Sequence, residues 1–69
     1  MKLSARNVLK GKVVKVTQGA VNSEVVLEVA PGIQVVSIIT RQSAETLGLA
    51  EGSEAYAVIK ASNVMVAVD

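Results

Sequence analysis

The sequence of 69 residues contains neither cysteine nor histidine. The missing cysteine excludes disulfide bonds, and the two absences together exclude the thiolate and imidazole ligands on which zinc, copper and iron sites depend. Histidine is also the usual base beside a catalytic serine or threonine. The pair Lys60 and Ser62 is a poor substitute, because an exposed lysine stays protonated. We therefore expect no bare metal cation, no cofactor and no enzymatic activity.

The chain also has few aromatic residues and almost no net charge. Tyr56 is the only aromatic residue and the formal net charge is +1. Proteins that bind single-stranded nucleic acid stack bases on several rings within a basic groove, so both observations disfavour that function. No apolar run reaches the roughly 20 residues of a membrane-spanning helix, and residues 1–7 lack the apolar region of a signal peptide. We predict a cytoplasmic protein that binds neither nucleic acid nor membrane.

Apolar residues, by contrast, are abundant. They make up 51% of the chain and are mostly valine and alanine. A chain of this length buries only a modest share of its surface, and small domains without disulfides or metals often gain stability by oligomerisation. The surplus of apolar residues needs an interface. The sequence predicts one domain, residues 1–69, within a homo-oligomer.

The spacing of apolar and turn-forming residues predicts strands. Alternation breaks around Gly11, which indicates a bulge or bend in the first strand. Pro31 and Gly32 predict a tight turn between the second and third strands. The last strand is apolar on both faces, which indicates burial on both sides, within the barrel or against another subunit. The five predicted strands are residues 8–17, 24–30, 33–39, 55–59 and 64–68.

One short helix is predicted between the third and fourth strands. Ser43 is a good N-cap residue, helix formers follow it, and Gly48 is placed to end the helix. About five strands with a helix at this position is the outline of a small OB-like barrel. The predicted fold class is therefore all-β with one short helix, completed or packed through subunit association.

Hydrogen-bond donors cluster in three places without nearby acids. Thr40 to Ser43 precede the helix, and two further groups lie near the chain ends: Ser4, Arg6 and Asn7, and Lys60, Ser62 and Asn63. Hydroxyls, cations and backbone N–H groups are the donors that a tetrahedral dianion requires. A site made of donors alone favours sulfate, molybdate or tungstate over phosphate, which keeps a proton near neutral pH. Ordinary polar turn residues are the alternative explanation.

Two of these groups carry a resemblance to a known family. The Ser-Ala-Arg-Asn segment at 4–7, with Lys-Gly-Lys-Val at 10–13, resembles the start of a molbindin (Mop domain). Leu-Gly-Leu at 47–49 and Lys-Ala-Ser-Asn at 60–63 resemble its end, so the similarity spans essentially the whole chain. The resemblance implies a protein that binds molybdate, and tungstate as well, for intracellular storage or homeostasis.

The resemblance also implies which residues bind. It assigns oxyanion contacts to Ser4, Arg6, Thr40, Ser43, Lys60, Ala61 and Ser62. Thr40 and Ser43 would act on a site completed from a neighbouring subunit, in a hexamer built as a trimer of dimers. A second class of site, around a three-fold axis, is assigned to the loop of Gly19, Ala20, Val21, Asn22 and Ser23. Two other functions stay open: a structural interaction module without a ligand, and a nucleic-acid-binding OB module.

Overall fold

The computed structural model describes all 69 residues, and its main element is one antiparallel sheet of four strands. The strands lie in the order β3-β2-β1-β4, and the sheet curls into an OB-like half barrel, which confirms the predicted fold class. A six-residue helix joins β3 to β4 and is too short to cross a membrane. The elements are β1 Asn7–Gln18, β2 Asn22–Ala30, β3 Ile33–Thr40, α1 Arg41–Thr46, β4 Glu54–Ile59 and a 3₁₀ turn Ala61–Asn63.

The central strand β1 pairs with β2 along its second half and with β4 along its first half. Its register against β2 shifts between Val13 and Lys15, which confirms the bulge that the broken alternation predicted. The strands approach closely at Gly11, where an added Cβ would lie 2.6 Å from the carbonyl oxygen of Glu28. The bulge and the close approach together bend β1 so that it serves both halves of the curled sheet.

The core of this sheet is small. Val13, Val25 and Leu27 form its centre, and Ala44 of the helix is also buried. Only seven of the 69 residues are buried, whereas fifteen large hydrophobic residues are exposed. A single copy therefore leaves more apolar surface in water than a small monomer ordinarily shows.

The helix begins earlier than the sequence predicted. Thr40, not Ser43, is the N-cap: its backbone is extended and its hydroxyl oxygen accepts a hydrogen bond of 3.0 Å from the backbone N–H of Ser43. A capping side chain reaches the amide three positions further on, so Ser43 is the capped residue. Gly48, with φ of 64°, follows the end of the helix as predicted.

The fifth predicted strand, residues 64–68, is wrong for the single chain. After the 3₁₀ turn Ala61–Asn63 the chain has no regular secondary structure, and Met65 and Val66 are 95% and 88% exposed. A β-strand forms backbone hydrogen bonds with a neighbouring strand, and this segment pairs with neither edge of its own sheet. Residues 64–68 are an apolar tail that is not buried within its own barrel.

Candidate functional site

The first and last strands bring the two ends of the chain together. β1 and β4 are antiparallel neighbours, and Asn7 at the start of β1 pairs with Ile59 at the end of β4. The Asn7 side-chain Nδ2 donates to the Ile59 carbonyl oxygen at 3.4 Å, although the two residues are 52 positions apart in sequence. The segment that precedes β1 therefore lies beside the segment that follows β4.

An open pocket of about 620 Å³ lies between these two segments. It brings together five of the seven predicted oxyanion-binding residues, with none of the six acidic residues on its wall. Its lining consists of Ser4, Ala5, Arg6, Val58, Lys60, Ala61, Ser62 and Asn63. The two motifs that the sequence singled out thus form one cavity lined by donors.

The donors of this pocket are free to bind a ligand. Arg6 and Lys60 are exposed, and the only two ion pairs of the chain lie elsewhere, at Lys10–Glu54 and Arg41–Glu45. No hydrogen bond within the chain engages the hydroxyls of Ser4 and Ser62, since all side-chain hydrogen bonds involve other residues. Two cations and two hydroxyls therefore face the cavity without an internal partner.

The 3₁₀ turn shapes one wall of the pocket. Asn63 N–H donates to the Lys60 carbonyl at 2.9 Å, and Val64 N–H donates to the Ala61 carbonyl at 3.2 Å. These two bonds fold the Lys-Ala-Ser-Asn segment into a compact turn directly after β4. Short-range bonds of this kind hold the turn residues in one arrangement with little support from a core.

Thr40 and Ser43 do not lie in this pocket. They start the helix at the other end of the sheet, where Thr40 pairs with Asn22 of β2. The Thr40 hydroxyl donates to Ser43 Oγ at 2.7 Å, so it is already engaged. Their predicted contact with an oxyanion stays a prediction, and within one chain they cannot share the site of Arg6 and Lys60, because β1 separates the two ends.

The loop that carried the second predicted site lies beside this helix start. The backbone N–H of Arg41 donates to the Val21 carbonyl at 2.8 Å. The loop is shorter than predicted, because β2 already begins at Asn22. Gly19, Ala20, Val21 and Asn22 are exposed, whereas Ser23 is 1% exposed and its hydroxyl has no hydrogen-bond partner. These residues remain candidates for a second site, separate from the first pocket.

Ala5, Val58 and Asn63 also line the pocket, and of these three only Asn63 stood out in the sequence as a hydrogen-bond donor. Val58 lies on β4 two positions before Lys60, which follows the strand with an extended backbone, and alternate residues of an extended segment share a face. The two-residue period of a strand would therefore have predicted that Val58 lines the same pocket as Lys60. Val58 matters further because it also lines the apolar clefts of the curled sheet.

The chemistry available in the pocket is that of binding. Positive charge, hydroxyls and turn amides stabilise an anion with several oxygens. The pocket holds no carboxylate, thiol or imidazole that could move a proton or attack a substrate. Nowhere in the chain do three metal-ligating side chains come together.

Comparison with known proteins gives a family match over nearly the whole chain. The TOBE domain model matches residues 3–66. Molybdenum-pterin-binding protein 3 from Clostridium pasteurianum is 58% identical over 66 residues, which cover 96% of this chain and 97% of that protein.

Two solved structures share the fold closely. The apo form of MopII from Clostridium pasteurianum superposes with a TM-score of 0.91 at 51% identity, covering 97% of this chain and 100% of that one. The cytoplasmic molybdate-binding protein ModG, solved with molybdate bound, superposes with a TM-score of 0.90 at 48% identity. That match covers 94% of this chain and 46% of ModG.

Proposed function

We propose that this chain, which belongs to the TOBE domain family, binds molybdate, and tungstate as well, without catalysing a reaction. The observation that carries the proposal is the pocket in which Ser4, Arg6, Lys60 and Ser62 converge without an acidic neighbour. Relatives and structural neighbours named for molybdenum or molybdate binding support the same ligand.

The binding mechanism is electrostatic and geometric. Arg6 and Lys60 neutralise the dianion, while the hydroxyls of Ser4 and Ser62 and the backbone at Ala61 hold its oxygens. A protonated phosphate needs an acceptor for its hydrogen, and the pocket wall has no carboxylate to accept it. The same donors can bind molybdate and tungstate, which carry no proton near neutral pH.

The ligand we propose is the oxyanion itself. The name of the Clostridium relative also mentions a pterin. A flat heterocycle is held best by stacking on an aromatic face, and no aromatic side chain lines this pocket. A compact tetrahedral anion suits its short polar side chains better.

We further propose that the complete sites form between subunits of a homo-oligomer, a hexamer built as a trimer of dimers. Thr40 and Ser43 of one subunit would complete the pocket of another, because they cannot reach their own. The loop of Gly19 to Ser23 would contribute to a second class of site. The fifteen exposed large hydrophobic residues support association.

The physiological role that fits these properties is storage or buffering of molybdate in the cytoplasm. The neighbour ModG is named as a cytoplasmic protein. We propose no resident cofactor, no enzymatic activity and no nucleic-acid or membrane partner, in keeping with the single aromatic residue and the net charge of +1.

Isothermal titration with molybdate, tungstate, sulfate and phosphate, with native mass recorded alongside, tests the proposal. We expect tight binding of molybdate and tungstate and little heat with phosphate, on a particle of six chains. Absence of heat with all four anions would overturn the proposed function. An oligomer that binds none of them would favour the second candidate, a structural interaction module, for which the exposed apolar surface is the supporting observation.

A further inference from the structure

One hydrogen-bond donor that the sequence singled out is not part of the proposed site. Asn7 follows Ser4 and Arg6 near the start of the chain, but it does not line the oxyanion pocket. Its side chain is partly buried, and its Nδ2 donates to the Ile59 carbonyl oxygen at 3.4 Å. Asn7 is therefore engaged within the chain, whereas the side-chain donors of the pocket are free.

The hydrogen bond from Asn7 differs from every other side-chain hydrogen bond of the chain. The other six join residues that are three or four positions apart, within a turn or at the helix. The bond from Asn7 spans 52 positions and joins the first strand to the last. It is the only side-chain hydrogen bond between distant parts of the sequence.

This bond lies at the point where the two walls of the pocket separate. Arg6 is the residue before Asn7, and Lys60 is the residue after Ile59. Asn7 and Ile59 are the last residues that pair between β1 and β4, and beyond them both segments leave the sheet. The carboxamide of Asn7 thus joins the two backbones directly beside the two cations of the pocket.

The two walls of the pocket are not equally supported. The wall at residues 60–63 is held by the two hydrogen bonds of its 3₁₀ turn. Residues 1–6, by contrast, form no backbone or side-chain hydrogen bond with any part of the chain. Asn7 is the first hydrogen-bonded residue of the sequence. The wall that carries Ser4 and Arg6 therefore depends on the residue directly after it.

Charge repulsion acts against the closed arrangement of these walls. Arg6 and Lys60 carry like charges on opposite walls, and no acidic residue lines the pocket between them. Like charges repel, so the ligand-free walls tend to separate until an anion neutralises them. Ordering a mobile segment on binding lowers the affinity, whereas a segment that is already held in place avoids this cost.

We propose that Asn7 is a positioning residue of the oxyanion pocket, an inference that rests on the proposed function. Its carboxamide holds the start of the N-terminal wall against the carbonyl that precedes Lys60, before any anion binds. The role requires a donor, because the partner atom is a carbonyl oxygen, which only accepts. Asn7 does not contact the anion itself, since it lies outside the pocket lining.

The first experiment removes the donor and keeps the branched shape of the side chain. Asn7→Leu should weaken molybdate binding about 2- to 12-fold, the range that corresponds to one lost neutral hydrogen bond. Gln18→Leu is the matched control, because Gln18 is the amide residue at the other end of β1 and its side chain makes no hydrogen bond. We expect this control to bind as the parent does.

Affinity and stability are measured separately on these variants. Calorimetry is carried out at a temperature at which circular dichroism shows every variant fully folded, so a lower unfolding midpoint by itself does not change the affinity. A role in folding alone would lower the midpoint of Asn7→Leu and leave molybdate binding as in the parent. That result would overturn the proposal.

Amide NMR of the ligand-free protein supplies a signature that does not depend on molybdate. The heteronuclear NOE of residues 4–6 should lie near that of the strands in the parent and in Gln18→Leu, and it should fall in Asn7→Leu. Residues 61–63 should keep their values in all three proteins, because their own turn holds them. Unchanged values at residues 4–6 in Asn7→Leu would contradict the positioning role.

The parent alone gives a third test, which holds even if Asn7→Leu does not fold. One Nδ2 proton of Asn7 is hydrogen-bonded, whereas Asn63 is exposed and its side chain has no partner within the chain. Exchange of the side-chain amide protons with water should therefore be several times slower at Asn7 than at Asn63. Equal rates would mean that the bond to Ile59 does not persist, and the proposal would fail.

The outcomes separate this inference from the proposed function. A parent that binds no molybdate, with slow exchange at Asn7 and lowered NOE values at residues 4–6 of Asn7→Leu, would remove the ligand and keep Asn7 as the residue that orders this wall. Equal molybdate affinity of the parent and Asn7→Leu would keep the ligand and remove the positioning role.

Discussion

The two ends of the sheet carry similar side chains that are used in opposite ways. At the start of β1, Arg6 and the serine hydroxyls beside it have no partner within the chain. At the far end, Arg41 pairs with Glu45 at 3.1 Å and the Thr40 hydroxyl is spent on capping the helix. Within one chain, a cluster of serine, threonine and arginine therefore forms an anion pocket of its own only where its donors are not already engaged.

The largest effect is expected when the charged side chains of the pocket are removed. Arg6→Ala and Lys60→Ala should each weaken molybdate binding by about 12- to 160-fold, since a hydrogen bond to a charged group contributes about 1.5–3 kcal/mol. Arg41→Ala is the matched control and should bind as the parent does. Titration calorimetry measures the affinities, and circular dichroism should show an unchanged apo fold. Equal affinities for Arg6→Ala and Arg41→Ala would contradict the assignment.

A smaller effect is expected at the hydroxyls of the same pocket. Ser4→Ala and Ser62→Ala each remove a neutral donor, which contributes about 0.5–1.5 kcal/mol, so affinity should fall about 2- to 12-fold. Thr17→Ala, on an exposed face near the other end of β1, should not change it. The hydroxyls would be excluded as ligand contacts if all three variants titrated alike.

At the helix start, Thr40 and Ser43 should separate stability from binding. Thr40→Ala removes the cap and should lower the free energy of unfolding by about 1 kcal/mol. Ser43→Ala keeps the capped backbone amide, so its free energy of unfolding should change far less. If Ser43 completes a neighbouring subunit's site, that variant should still bind molybdate about 2- to 10-fold more weakly. Urea denaturation and calorimetry give the two quantities, and parent-like affinity would remove Ser43 from the site.

The smallest effect belongs to the ion pair of the helix. Glu45→Ala frees Arg41 and should change the free energy of unfolding by no more than about 0.5 kcal/mol, because both side chains are about half exposed. Molybdate affinity should not change at low salt. A gain in affinity would show that Arg41 is a latent anion ligand held back by Glu45.

The fold was largely predictable because its elements depend on local patterns. Runs rich in apolar residues between turn residues locate β1 to β4, and the broken alternation of β1 predicts its bulge, which lies between Val13 and Lys15. The start of the helix was placed late because two residues, Thr40 and Ser43, are both good caps, and only the backbone shows which amide is reached. The prediction of a fifth strand at residues 64–68 was wrong for a different reason. The segment has the apolar pattern of a strand, but it pairs with no edge of the sheet in its own chain.

The site was predictable as far as the chain ends are concerned. Ser4, Arg6, Lys60, Ala61 and Ser62 meet because β1 and β4 are neighbours, which the order of strands in an OB-like barrel implies. Thr40 and Ser43 do not join them within one chain. A sequence motif gives the residue types of a site, but it does not say whether two motifs meet within one subunit or between two subunits. Val58 was overlooked because an apolar residue on a strand is ordinarily assigned to the core.

The pairing of Asn7 with Ile59 has a consequence for the order of events during synthesis. The two walls of the pocket are among the first and the last parts of this chain to leave the ribosome. No nascent chain that lacks residues 60–63 has a pocket to fill, so the oxyanion can bind only after these residues are made and β1 has paired with β4. Binding would then stabilise the chains in which that pairing has formed.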